Sequence, residues 1–345
     1  MTDDALRTLF LPFAQGQLAW PKDEALFLRA RTGASLRDYA AGKRLICEQT
    51  FKPDADALQR AGLQLIGDGD NARTYALTLL LPPRQREESR ALLARAVAAT
   101  HRGGRVVACG ANNEGARSIE SDLAQLVGPV AALSKHKCRV CWSAPLDDAI
   151  NAPLVEEWRA LDAVRPILDG RFVSRPGVFA WDRIDPASAL LAQHLPSTLA
   201  GRAADLGAGY GYLSVELLSR CPNIAALDVY EAERRALDLA RQNLARFAAR
   251  TPVELHWHDV TAGLPRTYNV IVMNPPFHAQ QRIDRPDIGR RFIAAAALAL
   301  APGGSLWLVA NRHLPYEAEL REGFGAVRAV AQERGYKIIE ARKAG

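Results

Sequence analysis

The segment Asn274-Pro275-Pro276-Phe277 joins an amide, a backbone carbonyl and an aromatic ring on a turn that two prolines stiffen. An exocyclic amine on a nucleobase is a poor nucleophile, because its lone pair is delocalised into the ring. It becomes reactive when two acceptors take its N–H hydrogens and turn the lone pair outward. The Asn274 side-chain oxygen and the Pro275 carbonyl are such acceptors, set in place before the reaction rather than recruited during it. Phe277 offers a face on which a flipped or unpaired base stacks. No general base of tuned pKa is required, since the proton can leave to water.

A second constellation lies upstream. Asp205 precedes the run Gly207-Ala208-Gly209-Tyr210-Gly211, and glycines let backbone N–H groups approach a ligand without Cβ obstruction. Dehydrogenases place a glycine-rich turn at the same point, but Asp205 would crowd a pyrophosphate with negative charge. A carboxylate there suits a cationic or hydrogen-donating ligand. Glu231 stands 26 residues after Asp205, the spacing of an acid that grips ribose hydroxyls. Asp228 competes for that role, as does a plain helix-start function for Glu231. Asp259 closes the series beside the same crevice, where a purine amino group can be read.

These residues need strands to deliver them. The pattern predicts strands at 203–206, 224–230, 253–257 and 270–273, with a helix from Tyr212 to Ser219. Each strand then ends on one of the polar residues, and ligands of open α/β sheets bind at that edge. Four signals in order are far more specific than any one.

The first half repeats the plan. Tyr75-Ala-Leu-Thr-Leu-Leu-Leu81-Pro82-Pro83-Arg84 has the shape of Tyr268 to Phe277, and each run is followed by an Ala/Leu-rich helix, a Gly-Gly turn and a strand. Strand, helix and strand make βαβ units and parallel sheets. The earlier copy has Leu81 in place of Asn274 and Arg84 in place of Phe277, so it cannot accept an amine hydrogen or stack a phenyl ring. No Asp-x-Gly-x-Gly precedes it, and it binds no cofactor on this reading. The expected division is residues 1–160, a support or RNA-recognition domain, and 166–345, the catalytic domain.

Composition narrows the class. With 345 residues, 48% hydrophobic and 24% charged, the chain has the make-up of a packed two-domain protein rather than a disordered one. Its net charge of +6 permits a polyanionic partner without demanding one. An acidic start without an apolar run, and apolar stretches far short of a span, predict no export signal and no membrane association. Five cysteines are too few for a disulfide framework and predict a reduced, cytoplasmic setting. Cys138-Arg-Val-Cys141 has no second pair, and His256, His258 and His278 form no ligand set, so no metal is assigned.

On these motifs, together with Arg175 to Asp182 and Val309 to Tyr316, residues 201–311 resemble class I S-adenosylmethionine-dependent methyltransferases of the amino-group type. The whole chain is similar to the bacterial small-subunit ribosomal RNA guanine-N2 methyltransferases, the RsmC-like family. The resemblance implies two tandem Rossmann-like methyltransferase domains, the first degenerate, with mostly parallel sheets covered by helices on both faces. It implies S-adenosylmethionine as cofactor, with Asp205, Gly207, Gly209 and Gly211 on its methionine side, Glu231 on the ribose and Asp259 on the adenine. Asn274, Pro275, Pro276 and Phe277 become the catalytic tetrad. The implied substrate is guanine N2 of 16S rRNA in the small subunit or an assembly intermediate, acted on by a monomer. The alternatives are 23S rRNA, adenine N6 or protein glutamine as acceptor, and, in other classes, an NAD-dependent oxidoreductase or a non-catalytic RNA-binding protein.

Overall fold

Residues 3–67, 73–276 and 286–345 are described by a computed structural model of the chain. They belong to two compact units, Met1–Val164 with Arg175–Gly177, and Arg165–Ser174 with Val178–Gly345. In the first unit, β1 (Ala25–Leu28), β2 (Leu45–Glu48), β3 (Gln64–Ile66), β4 (Tyr75–Leu80), β5 (Thr100–Ala111), β6 (Val130–Lys135) and β7 (Cys138–Ser143) make one sheet of order β3-β2-β1-β4-β5-β7-β6. The second unit opens with a ribbon of β8 (Arg165–Ile167) and β9 (Phe172–Ser174). Its main sheet joins β10 (Ala200–Leu206), β11 (Asn223–Glu231), β12 (Val253–Trp257), β13 (Tyr268–Met273), β14 (Leu300–Asn311), β15 (Ala326–Glu333) and β16 (Tyr336–Arg342) in the order β12-β11-β10-β13-β14-β16-β15. The two orders are the same. In each sheet the first five strands run parallel and the last two add antiparallel. One α/β plan is used twice.

Parallel strands covered on both faces read as continuous apolar runs, because alternate side chains enter different cores. In the second unit Ala203, Val270 and Val272 face the helices Pro186–His194, Tyr212–Arg220 and Arg234–Leu244. Ala204, Leu206, Ile271 and Met273 face the helix Pro286–Ala299 on the other side. Among the described residues no helix is long and apolar enough to cross a membrane.

The Gly-Gly pairs depart from expectation. They are not turns ahead of a strand but lie within β5 and β14, where the pairing slips. Tyr75 faces Thr100 while Leu77 faces Arg105, and Tyr268 faces Leu300 while Val270 faces Ser305. A Cβ on Gly104 would stand 2.8 Å from the Ala76 carbonyl oxygen, and one on Gly304 3.0 Å from that of Asn269. The irregularity is built where no side chain fits.

Candidate active site

The strand order reverses at β10, which has β11 on one side and β13 on the other. In open α/β sheets the crevice above such a point is where ligands bind. Leu206 is in register with both Tyr230 and Met273, so the residues that follow, Gly207, Glu231 and Asn274, leave the sheet in one row. Trp257 pairs with Glu231, and Asp259 comes two residues later at the same edge.

The turn after β10 holds Gly207, Gly209 and Gly211 at φ of +74°, +59° and +91°, a region that side chains other than glycine rarely adopt. The N–H groups of Gly207 and Ala208 donate to the Tyr230 carbonyl at 2.8 and 3.1 Å. Gly209 N–H donates to Glu231 Oε2 at 2.8 Å, and Glu233 N–H to Glu231 Oε1 at 2.7 Å. Glu231 thus latches the glycine turn to β11 and still has lone pairs for hydroxyl donors. Burial holds its carboxyl above the ordinary range, and the two N–H donors pull the other way.

Asp205 is fully buried one residue before the edge. Its Oδ2 accepts from Ser214 Oγ at 2.7 Å, while Oδ1 is buried with no partner among the described residues. Burial pushes this carboxyl up to about 7, against the hydrogen bonds from Ser214. An unsatisfied buried oxygen costs roughly 1–3 kcal/mol, a defect that a donating ligand repairs.

Asn274 shows the same asymmetry with more order. Its Nδ2 donates to Asp185 Oδ2 at 2.9 Å and to Ser188 Oγ at 2.8 Å, so both amide hydrogens are committed. Its Oδ1 is buried and has no partner among the described residues. Asp185 can reach it because it caps the helix Pro186–His194, where the same Oδ2 accepts from Ser188 N–H at 2.8 Å. Neither Asp185 nor Ser188 is singled out by the sequence reading. The only signal was the Asp-Pro-Ala-Ser helix start, which gives no hint of a partner 89 residues away.

Pro275 is buried beside Asn274, and Pro276 is exposed. Phe277 lies outside the described residues, as does His278. Asp259 caps the short turn 260–262 through Oδ1, which accepts from Thr261 N–H at 2.9 Å and Thr261 Oγ1 at 2.7 Å. Asp228 is withdrawn from the competition with Glu231. It is buried below the strand tip and bonded to Arg202, Arg266 and His256 at 3.1, 3.0 and 3.2 Å. Arg290 pairs with Glu319 and Arg291 donates to the Thr261 carbonyl, so both are engaged within the protein. Cys138 and Cys141 sit three apart on a strand and enter opposite cores, which prevents them from acting as a pair.

The first unit carries the altered counterpart of this site. Leu28 pairs with Glu48 and Leu80 as Leu206 pairs with Tyr230 and Met273, which places Leu81 at the position of Asn274. Arg29-Ala30-Arg31-Thr32-Gly33 then stands for Gly207 to Gly211, and Gln49 for Glu231. Ala30 N–H donates to the Glu48 carbonyl at 3.0 Å, matching Ala208 on Tyr230. Gln49 Oε1 accepts from Phe51 N–H at 2.9 Å, matching Glu231 and Glu233. Arg29 holds the left-handed φ of Gly207, at +52°, and pairs with the buried Glu88 at 2.9 Å. Phe27 replaces Asp205. The hydrogen-bonded frame persists while every group with chemistry has changed.

The fold and this edge define a methyltransferase architecture, and the family model described as Methyltransferase small domain matches residues 169–340. A Ribosomal RNA small subunit methyltransferase C from Pseudomonas aeruginosa is 32% identical over 78% of this chain and 80% of its own length. A Ribosomal RNA large subunit methyltransferase G from Ectopseudomonas mendocina is 33% identical over 70% of this chain and 64% of its own. Among solved structures, the T. thermophilus 16S rRNA N2 methyltransferase RsmC, in complex with AdoMet and guanosine, matches with a TM-score of 0.81 and 26% identity. That match covers 99% of this chain and 92% of the other. The chain belongs to the RsmC-like family of ribosomal RNA methyltransferases.

Proposed function

We propose that this protein transfers a methyl group from S-adenosylmethionine to the exocyclic N2 amine of a guanine in 16S rRNA. The observation that carries the reading is the Asn274 amide, anchored through its nitrogen with its oxygen buried and free to accept. Oδ1 takes one amine hydrogen, the Pro275 carbonyl takes the other, and the nitrogen lone pair is freed from conjugation. Phe277 stacks the extruded base, and the proton leaves to water. Positioning supplies most of the rate.

The residues at the switch point fit S-adenosylmethionine. The partnerless Asp205 Oδ1 suits a cationic amino group, Glu231 has capacity for ribose hydroxyls, and Asp259, two residues past the end of the β12 pairing with β11, is the residue assigned to the purine amine. When bound, the cofactor supplies the electrophilic methyl group. Residues 166–345 carry the chemistry, and residues 1–160 support the fold or the hold on RNA. The partner is the small subunit or an assembly intermediate, and the protein works as a cytoplasmic monomer.

Labelled S-adenosylmethionine offered with separated ribosomal subunits tests this. Label in 16S rRNA that disappears in Asn274→Ala supports it. The similarity to large-subunit methyltransferase G favours a second reading, the same reaction on 23S rRNA, and label there alone would establish that instead. No label in either, with NADH bound, would overturn both.

A further inference from the structure

Away from the switch point, the second unit contains a cavity of about 450 Å³ lined by Arg171, Ser219, Arg246, Phe247 and Arg250. The helix Tyr212–Arg220 starts at the glycine turn, and Ser219 lies near its other end. At 1.5 Å per residue, its nine residues place the cavity about 13 Å along the domain from the cofactor edge.

The charge balance here is uneven. Arg171 and Arg220 share a single carboxylate, Glu216, which is itself buried. Arg246 and Arg250 have no carboxylate partner among the described residues. The Arg246 guanidinium instead lies over Phe172 and Phe247, 5.7 and 5.2 Å from the ring centroids. Arg250 lies over Phe247 at 5.4 Å and donates to the Leu218 carbonyl at the end of the helix. The rings and the carbonyl therefore hold two exposed cations in fixed planes without neutralising them. Three arginines of the first unit, Arg90, Arg95 and Arg139, are by contrast each paired with a carboxylate, Asp122, Glu48 and Glu120. Helix ends attract cations for their own sake, which accounts for Arg250 on Leu218 and favours Arg246 in the last turn of 245–247, but neither contact neutralises the exposed Arg246 charge.

We infer that this arginine cavity is an anchor for a backbone phosphate of the RNA substrate, holding the strand to the catalytic unit at a point remote from the reacting base. The inference rests on the proposed action on rRNA. Planar guanidiniums on aromatic supports grip phosphate oxygens in two-point contacts, and the +3 balance of the four arginines against Glu216 is unspent.

The test uses the full-length protein with Arg246→Ala and Arg246→Glu, both at an exposed position. Steady-state methylation of small subunits is read as a function of salt, beside cofactor affinity and thermal stability. Arg246→Ala should raise KM for RNA roughly 3- to 10-fold and lower the salt slope of binding by about 1, with kcat and cofactor affinity unchanged. Arg246→Glu should raise KM further. Wild-type KM and salt slope in Arg246→Glu would overturn the anchor. So would an unchanged KM with inorganic phosphate stabilising the wild type and not the variant, which marks a small-anion site instead. If the wild type methylates no rRNA, the functional reading has failed. Filter binding of 16S rRNA then judges the anchor alone, by whether Arg246→Glu lowers the salt slope or leaves it.

Discussion

Asp185→Ala is the substitution that most directly examines how the catalytic amide is held. Asp185 Oδ2 takes one hydrogen of Asn274 Nδ2 at 2.9 Å and also caps the helix Pro186–His194. A hydrogen bond to a charged acceptor contributes about 1.5–3 kcal/mol, and the cap contributes about 1 kcal/mol to stability. Without the carboxylate the amide loses its stronger anchor, and the orientation that aims Oδ1 at the substrate loses much of its advantage. Each 1.36 kcal/mol withdrawn from the transition state is about tenfold in rate, so transfer should slow by roughly 10- to 100-fold. Ser188→Ala removes a neutral contact of about 1 kcal/mol and should slow it roughly fivefold. The measurement is single-turnover methylation at saturating RNA and cofactor, with cofactor affinity followed separately and expected to be unchanged. The cap loss by itself should lower Tm by about 2–4 °C. A variant that showed this fall in Tm and kept the wild-type transfer rate would refute the argument, because Asp185 would then be a helix cap and nothing more.

Asp205 gives a prediction in pH. Its folded carboxyl is pushed up to about 7 from 3.8, so within that window the native chain holds a proton that the unfolded chain has lost. Stability from this group is therefore greatest at the acid end, falls as pH rises through the window and levels off above it. The displacement is worth about 4 kcal/mol, and urea denaturation across the range should show the fall in the wild type and a flatter curve in Asp205→Asn. Thermal stabilisation by S-adenosylhomocysteine should be lost in Asp205→Ala. Glu231→Ala should loosen the glycine turn as well as the ribose contact, weakening the cofactor by at least tenfold, as isothermal calorimetry would show. Leu81→Asn, placed in an Asn274→Ala background, should restore no transfer, since Arg29 stands where the glycine turn would need Gly207.

The strand tips were open to reading because an apolar run buried on both faces ends abruptly near a polar residue: Glu231 and Asn274 mark such ends, and Asp205 lies one residue short of one. The register of β10 with β11 and β13 brings those ends together, as an open parallel sheet requires. What was hidden depended on contacts distant in sequence. Asp185 reads only as a helix start until the fold carries it to Asn274. The Gly-Gly pairs look like turns, because nothing local announces that a neighbouring carbonyl lies under each second glycine. The first unit's glycine turn escaped notice for the opposite reason. Arg29 and Arg31 replace the residues by which such a turn is known, while the backbone hydrogen bonds that define it, from Ala30 and Phe51, leave no trace in residue type.

The Arg29–Glu88 pair also bears on history. A former cofactor turn that merely lost its glycines could regain them one at a time. Here the replacement, Arg29, is joined to the buried Glu88 carboxylate at 2.9 Å. Returning position 29 to glycine would break that ion pair and, with Phe27, Gln49 and Leu81 still in place, would restore none of the chemistry. The first unit's turn is therefore tied into its own core by a side chain, where the second unit's turn is tied only through backbone donors to Glu231 and Tyr230.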